Sequence, residues 1–384
     1  MVELWGQDLQ SIILNMVFML VYLYAILKLG PYLQMKKAMS VVQIALAELD
    51  KMRKETKSNA LMCLRKYGRP STNINKEIED LIGFFTIEPV DKDPVGVLRR
   101  LEHILDTRRN VIRSRIKSAA KDLNKQEISF IEMSIEVAMA LEYLFRVVRH
   151  YYISARESDN IYLLLQLQII MPDIMKIAKA YYNAQLHLSK GIPIGDSAGP
   201  MVVELALSQI SKRQQIDLLE NYSSEEIVMR KIRSGNRTLY VIRAEGPSAF
   251  VGKPGEIIKQ IIQTYAKELS AVLMIDAALA LEGEKSGDIA HGVGAVIGDP
   301  GPEKYKIEEA CANNNIPIVG LVVKMSLAEA LSPMSRDVLN GVRAATEEVL
   351  DFIHSQKEDA SILIAGIGNT IGIGYTIGGS NNEN

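Results

Sequence analysis

The chain has 384 residues, 48% of them hydrophobic, with 13 prolines, which gives room for two or three domains with real cores and excludes extended disorder. Its formal net charge is −2, and no basic stripe is interleaved with aromatics, so no nucleic-acid partner is expected. The two cysteines, Cys63 and Cys311, lie far apart in no ligand spacing; that excludes a cysteine zinc site and fits reduced thiols in a cytoplasmic environment.

Leu9 to Leu27 (LQSIILNMVFMLVYLYAIL) runs 19 residues without a charge, and at ~1.5 Å rise per residue it spans close to the ~30 Å hydrocarbon core. Tyr22 and Tyr24 lie toward its far end, Lys28 follows, Gly30-Pro31 is a stop signal, and Lys36 and Lys37 come next, while the leader carries Glu3 and Asp8. The expectation is a single-pass anchor over 1–31 that meets the membrane through 9–27. Its flanking charges place the remaining domains in the cytoplasm and the protein at the cell membrane. A cleaved signal peptide would need a basic leader, a shorter apolar core and a small-residue cleavage site. A buried or oligomer-forming soluble helix is the other alternative.

From 32 to 190 the periodicity is helical. Val42, Ala45, Leu46, Leu49 and Met52 recur at helix spacing, as do Ile74, Ile78, Leu81, Ile82 and Phe85. Asp93-Pro94 reads as the start of a helix through Leu98, Leu101, Ile104 and Leu105. Another helix should begin near Asn124 and pass through Phe130, Ile135, Met139 and Leu144. Ile161 to Met171, with no charge, is too short to span a bilayer and reads as the most buried helix of a bundle, kinked or restarted at Pro172. This region holds 26 Lys and Arg against 19 Asp and Glu, whereas 191–384 holds 17 against 25. The sign change supports a boundary near 190. A basic half could favour anionic headgroups, though solvated helix faces account for the same charges. His103, His150 and His187 have no convincing ligand partner and read as structural.

At Gly191 the pattern changes. Ile192-Pro193-Ile194 is strand-like; Gly195, Asp196, Ser197, Ala198, Gly199 and Pro200 then open an apolar helix. Such a corner suits an anion, and Asp196 suits a metal or an acid–base role, with a plain helix cap as the alternative. Glu226 to Arg233 and Arg237 to Arg243 read as a hairpin around Ser234-Gly235-Asn236. Gly252 and Lys253, before an amphipathic helix, form a second candidate anion corner or a simple turn, without the Walker spacing. Next come a strand over Ala271 to Ile275, ending on Asp276, and a glycine-rich loop holding Asp288, His291 and Asp299. A helix over Glu303 to Ala312, a strand over Ile316 to Val323, a helix over Ser335 to Ile353 and a strand over Ile362 to Ala365 follow. The last ten residues read as a flexible glycine-rich terminus. The fold class expected is α plus α/β: an N-terminal transmembrane helix, a helical bundle over 32–190, and a layered α/β domain over 191–384 with a mostly parallel sheet.

The order Gly195-Asp196-Ser197-Ala198-Gly199-Pro200, Ile275-Asp276-Ala277, the loop GVGAVIGDPGPEK and Ile316-Pro317-Ile318-Val319 resembles the phosphorylase/hydrolase-like fold of germination proteases and hydrogenase maturation proteases. That resemblance implies that Asp196 and Asp276 are the catalytic carboxylates, with Asp288, His291 or Asp299 as a third metal or site ligand. In those families Gly-x-Gly-Asn directly precedes the acidic corner, whereas here Gly366-Ile367-Gly368-Asn369 stands near the C-terminus; a permuted arrangement would have to bring Gly366, Gly368 and Asn369 to Gly195 and Ser197. Taken whole, the chain resembles an uncharacterised archaeal single-pass membrane-protein family, a domain of unknown function.

Two functions follow. One is a membrane-anchored hydrolase, peptidase-like, in which a divalent metal or a carboxylate pair activates water. Gly-x-Ser-x-Gly, His-Glu-x-x-His and a Cys–His pair are absent, which disfavours serine, zincin and cysteine mechanisms. The other is a non-enzymatic scaffold or sensor that binds a small anionic ligand or a protein partner, with the bundle acting as relay or homo-oligomer contact. Convergence of the carboxylates separates the two.

Overall fold

The structure, a computed structural model, describes residues 2–67, 69–70, 74–87, 89, 96–121, 123–224, 226–298 and 301–373. Asp93-Pro94, Asp299 and the last ten residues lie outside the described residues. The first half is helical: α1 (Val2–Tyr24), a π segment (Ala25–Leu29), α2 (Gly30–Tyr67), a two-residue β1 (Arg69–Pro70), α3 (Ile74–Ile82), α4 (Val97–Ala119), a two-residue β2 (Ala120–Lys121), α5 (Lys125–Glu157) and α6 (Ile161–Lys190). Gly30-Pro31 does not stop the helix as predicted. Pro31 falls in the first turn of α2, where a missing N–H costs little, and the wider π turn lies just before it.

The large apolar side chains of α1 from Ile12 to Tyr24 are all exposed. The stretch is long and apolar enough to cross a membrane, and none of it is buried in the protein. A helix apolar all round has to bury that surface somewhere.

The chain packs as two compact units, Met1–Glu55 with Ala140–Lys179, and Thr56–Met139 with Ala180–Asn384. In the first, α2 buries Val42, Ala45, Leu46, Leu49 and Met52 at the predicted spacing, α5 buries Leu141, Val148 and Ala155, and α6 buries Leu164, Leu167 and Met171. The Ile161–Met171 segment is not the fully buried helix expected of it: Tyr162 is 78% and Ile169 74% exposed, so only one stripe is covered. Helix α6 runs through Pro172 to Lys190 without restarting.

The second unit joins a small helical core to an α/β sandwich. Ala60, Leu64, Ile78, Leu81, Ile112, Ile116, Ile131 and Ile135 share one cluster. Phe85, predicted to continue that stripe, is 74% exposed because α3 ends at Ile82. Asn124 and Glu127 form a reciprocal cap on α5, each backbone N–H donating to the other's side chain at 2.9 Å.

The α/β part runs α7 (Ala198–Arg213), β3 (Ile216–Ser224), β4 (Ile227–Ser234), β5 (Arg237–Ala244), α8 (Pro254–Tyr265), β6 (Leu269–Leu279), β7 (Ile289–Val293), α9 (Pro302–Asn313), β8 (Ile318–Met325), α10 (Leu327–Ala330), α11 (Arg336–Ser355) and β9 (Ser361–Gly366). Its seven strands are ordered β3-β4-β5-β9-β6-β8-β7. The central β5, β9, β6 and β8 are mutually parallel, while β3, β4 and β7 add antiparallel edges. Helices α7 and α11 cover one face over Leu273, Ile275, Leu321 and Ile364. Helices α8 and α9 cover the other over Val272, Met274, Leu363 and Ala365. Burial on both faces explains why the central strands read as unbroken apolar runs. β3 and β7 were not foreseen, because β3 is largely exposed and β7 is a short edge segment with Gly292 inside it.

Candidate functional site

Strand β6 does not end on Asp276, as its apolar run suggested, but continues to Leu279. Its neighbour β9 pairs with it only as far as Ile275–Gly366, whereas β8 accompanies it through Asp276–Val322 to Leu279–Met325. Asp276 is therefore the first residue of β6 beyond the C-terminal end of β9, the kind of position where open α/β sheets place ligands. Alternation puts it on the α8/α9 face with Val272 and Met274. It is 5% exposed. Its Oδ1 accepts the Ala277 N–H at 2.7 Å, and the Gly298 main chain, in the loop after β7, supplies a second backbone hydrogen bond.

Asp196 arrives from the turn between α6 and α7 and is half-buried. It is not the side-chain cap of α7; that position belongs to Ser197, whose side chain makes no cap bond. The Asp196 Oδ1 accepts the Asn369 N–H at 3.0 Å, while its own N–H donates to the Asn369 carbonyl at 3.1 Å. Gly195 bridges Thr370, and the Thr370 hydroxyl donates to Ser197 Oγ at 2.8 Å. The run Gly366–Asn369 thus meets Gly195–Ser197 in space. The Asn369 Nδ2 donates to the carbonyls of Ser248 and Phe250 at 2.5 and 2.8 Å, tying a third segment to the corner.

The glycines here allow close backbone packing. A Cβ on Gly195 would lie 2.2 Å from the Asn369 carbonyl oxygen, and one on Gly368 2.5 Å from that of Asp196. A Cβ on Gly366 would lie 2.7 Å from the Gly199 carbonyl oxygen. Gly195 and Gly368 also have φ of +145° and +106°, open to glycine and little else.

The two carboxylates lie near enough for the charge of Asp196 to act on Asp276. Burial pushes Asp276 up to about 8, and the charge of nearby Asp196 pushes the same way, against the Ala277 and Gly298 hydrogen bonds. Burial also raises Asp196, opposed by the Asn369 N–H. The pair titrates as a unit. Asp276 is the more buried of the two and also feels the charge of Asp196, so it holds its proton the more tightly.

Asp288 and His291 do not join them, and Asp299 lies outside the described residues. His291 pairs in register with Leu321, and Leu321 with Ile275, which puts it on the opposite face of the sheet from Asp276. There its Nε2 lies 2.9 Å from Glu348 of α11. Asp288 closes a turn, its Oδ2 accepting the Lys285 N–H at 3.0 Å. Among the described residues no three His, Cys, Asp or Glu side chains gather as metal ligands. At the second predicted anion corner, the Lys253 ammonium meets Asp106 at 2.8 Å and Glu102 at 3.3 Å. The α8 amides of Gly255 and Glu256 donate to Glu303 Oε2 at 2.7 and 3.3 Å. The protein's own carboxylates thus take the place of the anion expected beyond Gly252.

Sequence reasoning passed over Thr370, Ser248 and Phe250, which act through one hydroxyl and two carbonyls. Gly298 stood in the glycine-rich loop, and that loop was the only signal for it. The Phe250 ring in turn lies under the guanidinium groups of Arg109 and Arg113, at 3.8 and 4.7 Å from its centroid.

Residues 16–191 match the model of a protein of unknown function (DUF1512), N-terminal domain, and 194–374 match that of its C-terminal domain (DUF1512). The chain belongs to the DUF1512 family. Both acidic residues and the Gly366–Asn369 run lie inside the C-terminal match, and the apolar helix from residue 16 onward lies inside the N-terminal one. No curated protein matches the DUF1512 chain.

Proposed function

We propose that this DUF1512 protein is a single-pass, membrane-anchored hydrolase of peptide bonds that uses Asp196 and Asp276 as a metal-free acid–base pair. The observation that carries the reading is the position of buried Asp276, the first residue of β6 beyond the end of β9, near a more exposed Asp196 that receives a backbone N–H; burial pushes Asp276 up to about 8. Two carboxyl groups that hold one proton between them supply a base and an acid at the same pH. In this reading Asp196 takes a proton from water as the oxygen attacks the carbonyl carbon, and Asp276 donates its proton to the carbonyl oxygen. Collapse of the tetrahedral species breaks the C–N bond as Asp196 gives its proton to the leaving nitrogen and Asp276 takes one back from a hydroxyl of that species, which restores the starting protonation and leaves a carboxylic acid and an amine. The resemblance to germination and hydrogenase maturation proteases supports peptides as the substrate class. Lys28, Lys36 and Lys37 after the apolar run support an anchor over 1–31 at the cell membrane, with a helical part over 32–190 and an α/β part over 191–384 in the cytoplasm.

The test is cleavage of a mixed peptide pool by the purified full-length chain, compared with Asp196→Asn and Asp276→Asn. General acid–base roles predict a loss of about 10²–10⁴-fold in each variant, with folding intact by circular dichroism and no effect of chelator on the wild type. No cleavage by the wild type, or equal cleavage by all three proteins, would remove the hydrolase reading and leave the acidic pair to a scaffold or sensor.

A further inference from the structure

Within the first compact unit, α2 and the C-terminal half of α5 border an open cavity of about 970 Å³. Arg146, Arg149 and Arg156 line it from α5 and Arg53 from α2, against two carboxylates, Asp50 and Glu142. At 100° per residue, positions 146, 149 and 156 fall within about a quarter-turn of one another, so the helix directs three guanidinium groups into one space.

Only part of that charge is neutralised inside. Arg53 contacts Glu142 at 2.9 Å and Asp50 at 2.5 Å, and its guanidinium lies over the Phe145 ring at 4.3 Å. Arg146 contacts the same Glu142 at 2.7 Å. Among the described residues neither Arg149 nor Arg156 has an acidic partner. The lining keeps an excess of two positive charges, and Arg149 and Arg156 are both exposed. All of these guanidinium groups border one volume large enough for a small molecule.

We infer that this cavity binds a small, soluble, phosphate-bearing anion, with Arg149 and Arg156 as the groups that recognise it. Two planar guanidinium forks match phosphate oxygens bidentately. The choice between a soluble ligand and a lipid headgroup rests on the anchor reading given above. Gln43, the first α2 residue at the cavity, lies 14 residues past Leu29, about 21 Å along a helix, whereas headgroups extend only about 5–7 Å past the hydrocarbon.

The full chain in phosphatidylcholine nanodiscs would be titrated with inorganic pyrophosphate by calorimetry at about 0.15 M salt, the ionic strength at which long-range charge effects fall off within ~8 Å. The expected result is saturable binding, at least about tenfold weaker in Arg149→Gln/Arg156→Gln, the scale of a lost charge-assisted pair. Lys176→Gln, an exposed charge of the same unit outside the cavity, should bind like the wild type. Arg149→Lys/Arg156→Lys keeps the charge and loses the fork; its affinity should fall between the two, and it decides the matter if the glutamine variant misfolds. No saturable binding up to millimolar pyrophosphate would overturn the proposal, as would equal affinity in the cavity variants or an equal loss in Lys176→Gln. Adding phosphatidic acid to the nanodiscs should leave pyrophosphate affinity unchanged. Arginine-dependent competition by that lipid would assign the cavity to a headgroup and overturn the soluble source. None of these readouts depends on peptide cleavage, so failure here leaves the acid-pair reading untouched.

Discussion

Asp276 differs from an ordinary aspartate because β6 carries it past the end of β9 into a position 5% exposed. Its proton affinity in the folded protein exceeds that in the unfolded chain, so folding takes up a proton between pH 4 and about 8. Stability supplied by that proton is complete below the unfolded value of 3.8 and declines as pH rises toward about 8, where the buried group must ionise. The expected outcome is that Asp276→Asn flattens this decline. The difference in unfolding free energy between variant and wild type should shift in the variant's favour by on the order of a few kcal/mol from pH 5 to pH 9, measured by denaturant titration at each pH. A difference independent of pH would mean that Asp276 is already ionised at the acidic end. None of this was legible in the residues, since an Asp after an apolar run looks the same whether it caps a helix or sits within a longer strand.

At the scale of elements, the site depends on how closely α7 approaches the strand ends. A Cβ on Gly199 would lie 2.3 Å from the carbonyl oxygens of both Ile275 and Ile367, so the first turn of α7 rests on the backbone of β6 and of the segment after β9. Gly199→Ala should cost at least about 2 kcal/mol by overpacking and should move Asp196, three residues upstream, away from its partner. Denaturation reads the first effect; the second appears as a lower apparent pKa of the pair by carboxyl NMR. An unchanged pKa with the full stability loss would separate packing of α7 from placement of Asp196. The glycine pattern at 195, 199, 366 and 368 was visible in the sequence. Its purpose was not, because contact between backbones separated by about 170 residues leaves no local periodicity to read. The same limit hid β3 and β7, edge strands whose pairing comes from their neighbours and not from their own propensity.

For the whole molecule, the exposed apolar face of α1 has consequences on its own. The large apolar residues from Ile12 to Tyr24 are uncovered, and burying a residue of that size in an apolar medium gains roughly 1.5–3 kcal/mol. The full chain should therefore stay with membranes through alkaline carbonate extraction, and Val17→Lys/Leu20→Lys should release it, since a lysine near the bilayer centre costs about 2.5–3.5 kcal/mol. Recovery of the unmodified chain in the carbonate supernatant would point to a helix–helix contact as the cover for this face.

What the sequence determined by itself is whatever rests on short-range periodicity and composition. The apolar run, the 3.6-residue stripes of α2, the hairpin of β4 and β5, the alternation of strand and helix, and Ser335 as the start of α11 all depend on residues within a few turns of one another. The tertiary structure decided the rest. Asp196, Asp276 and Asn369 are separated by 80 and 93 positions, and only the order β5-β9-β6-β8 brings them to one end of the sheet. A single residue of strand alternation sends His291 to the far face, toward Glu348, and a turn at Lys285 occupies Asp288. Side-chain convergence is a property of topology and register, and neither is encoded within the reach of any one motif.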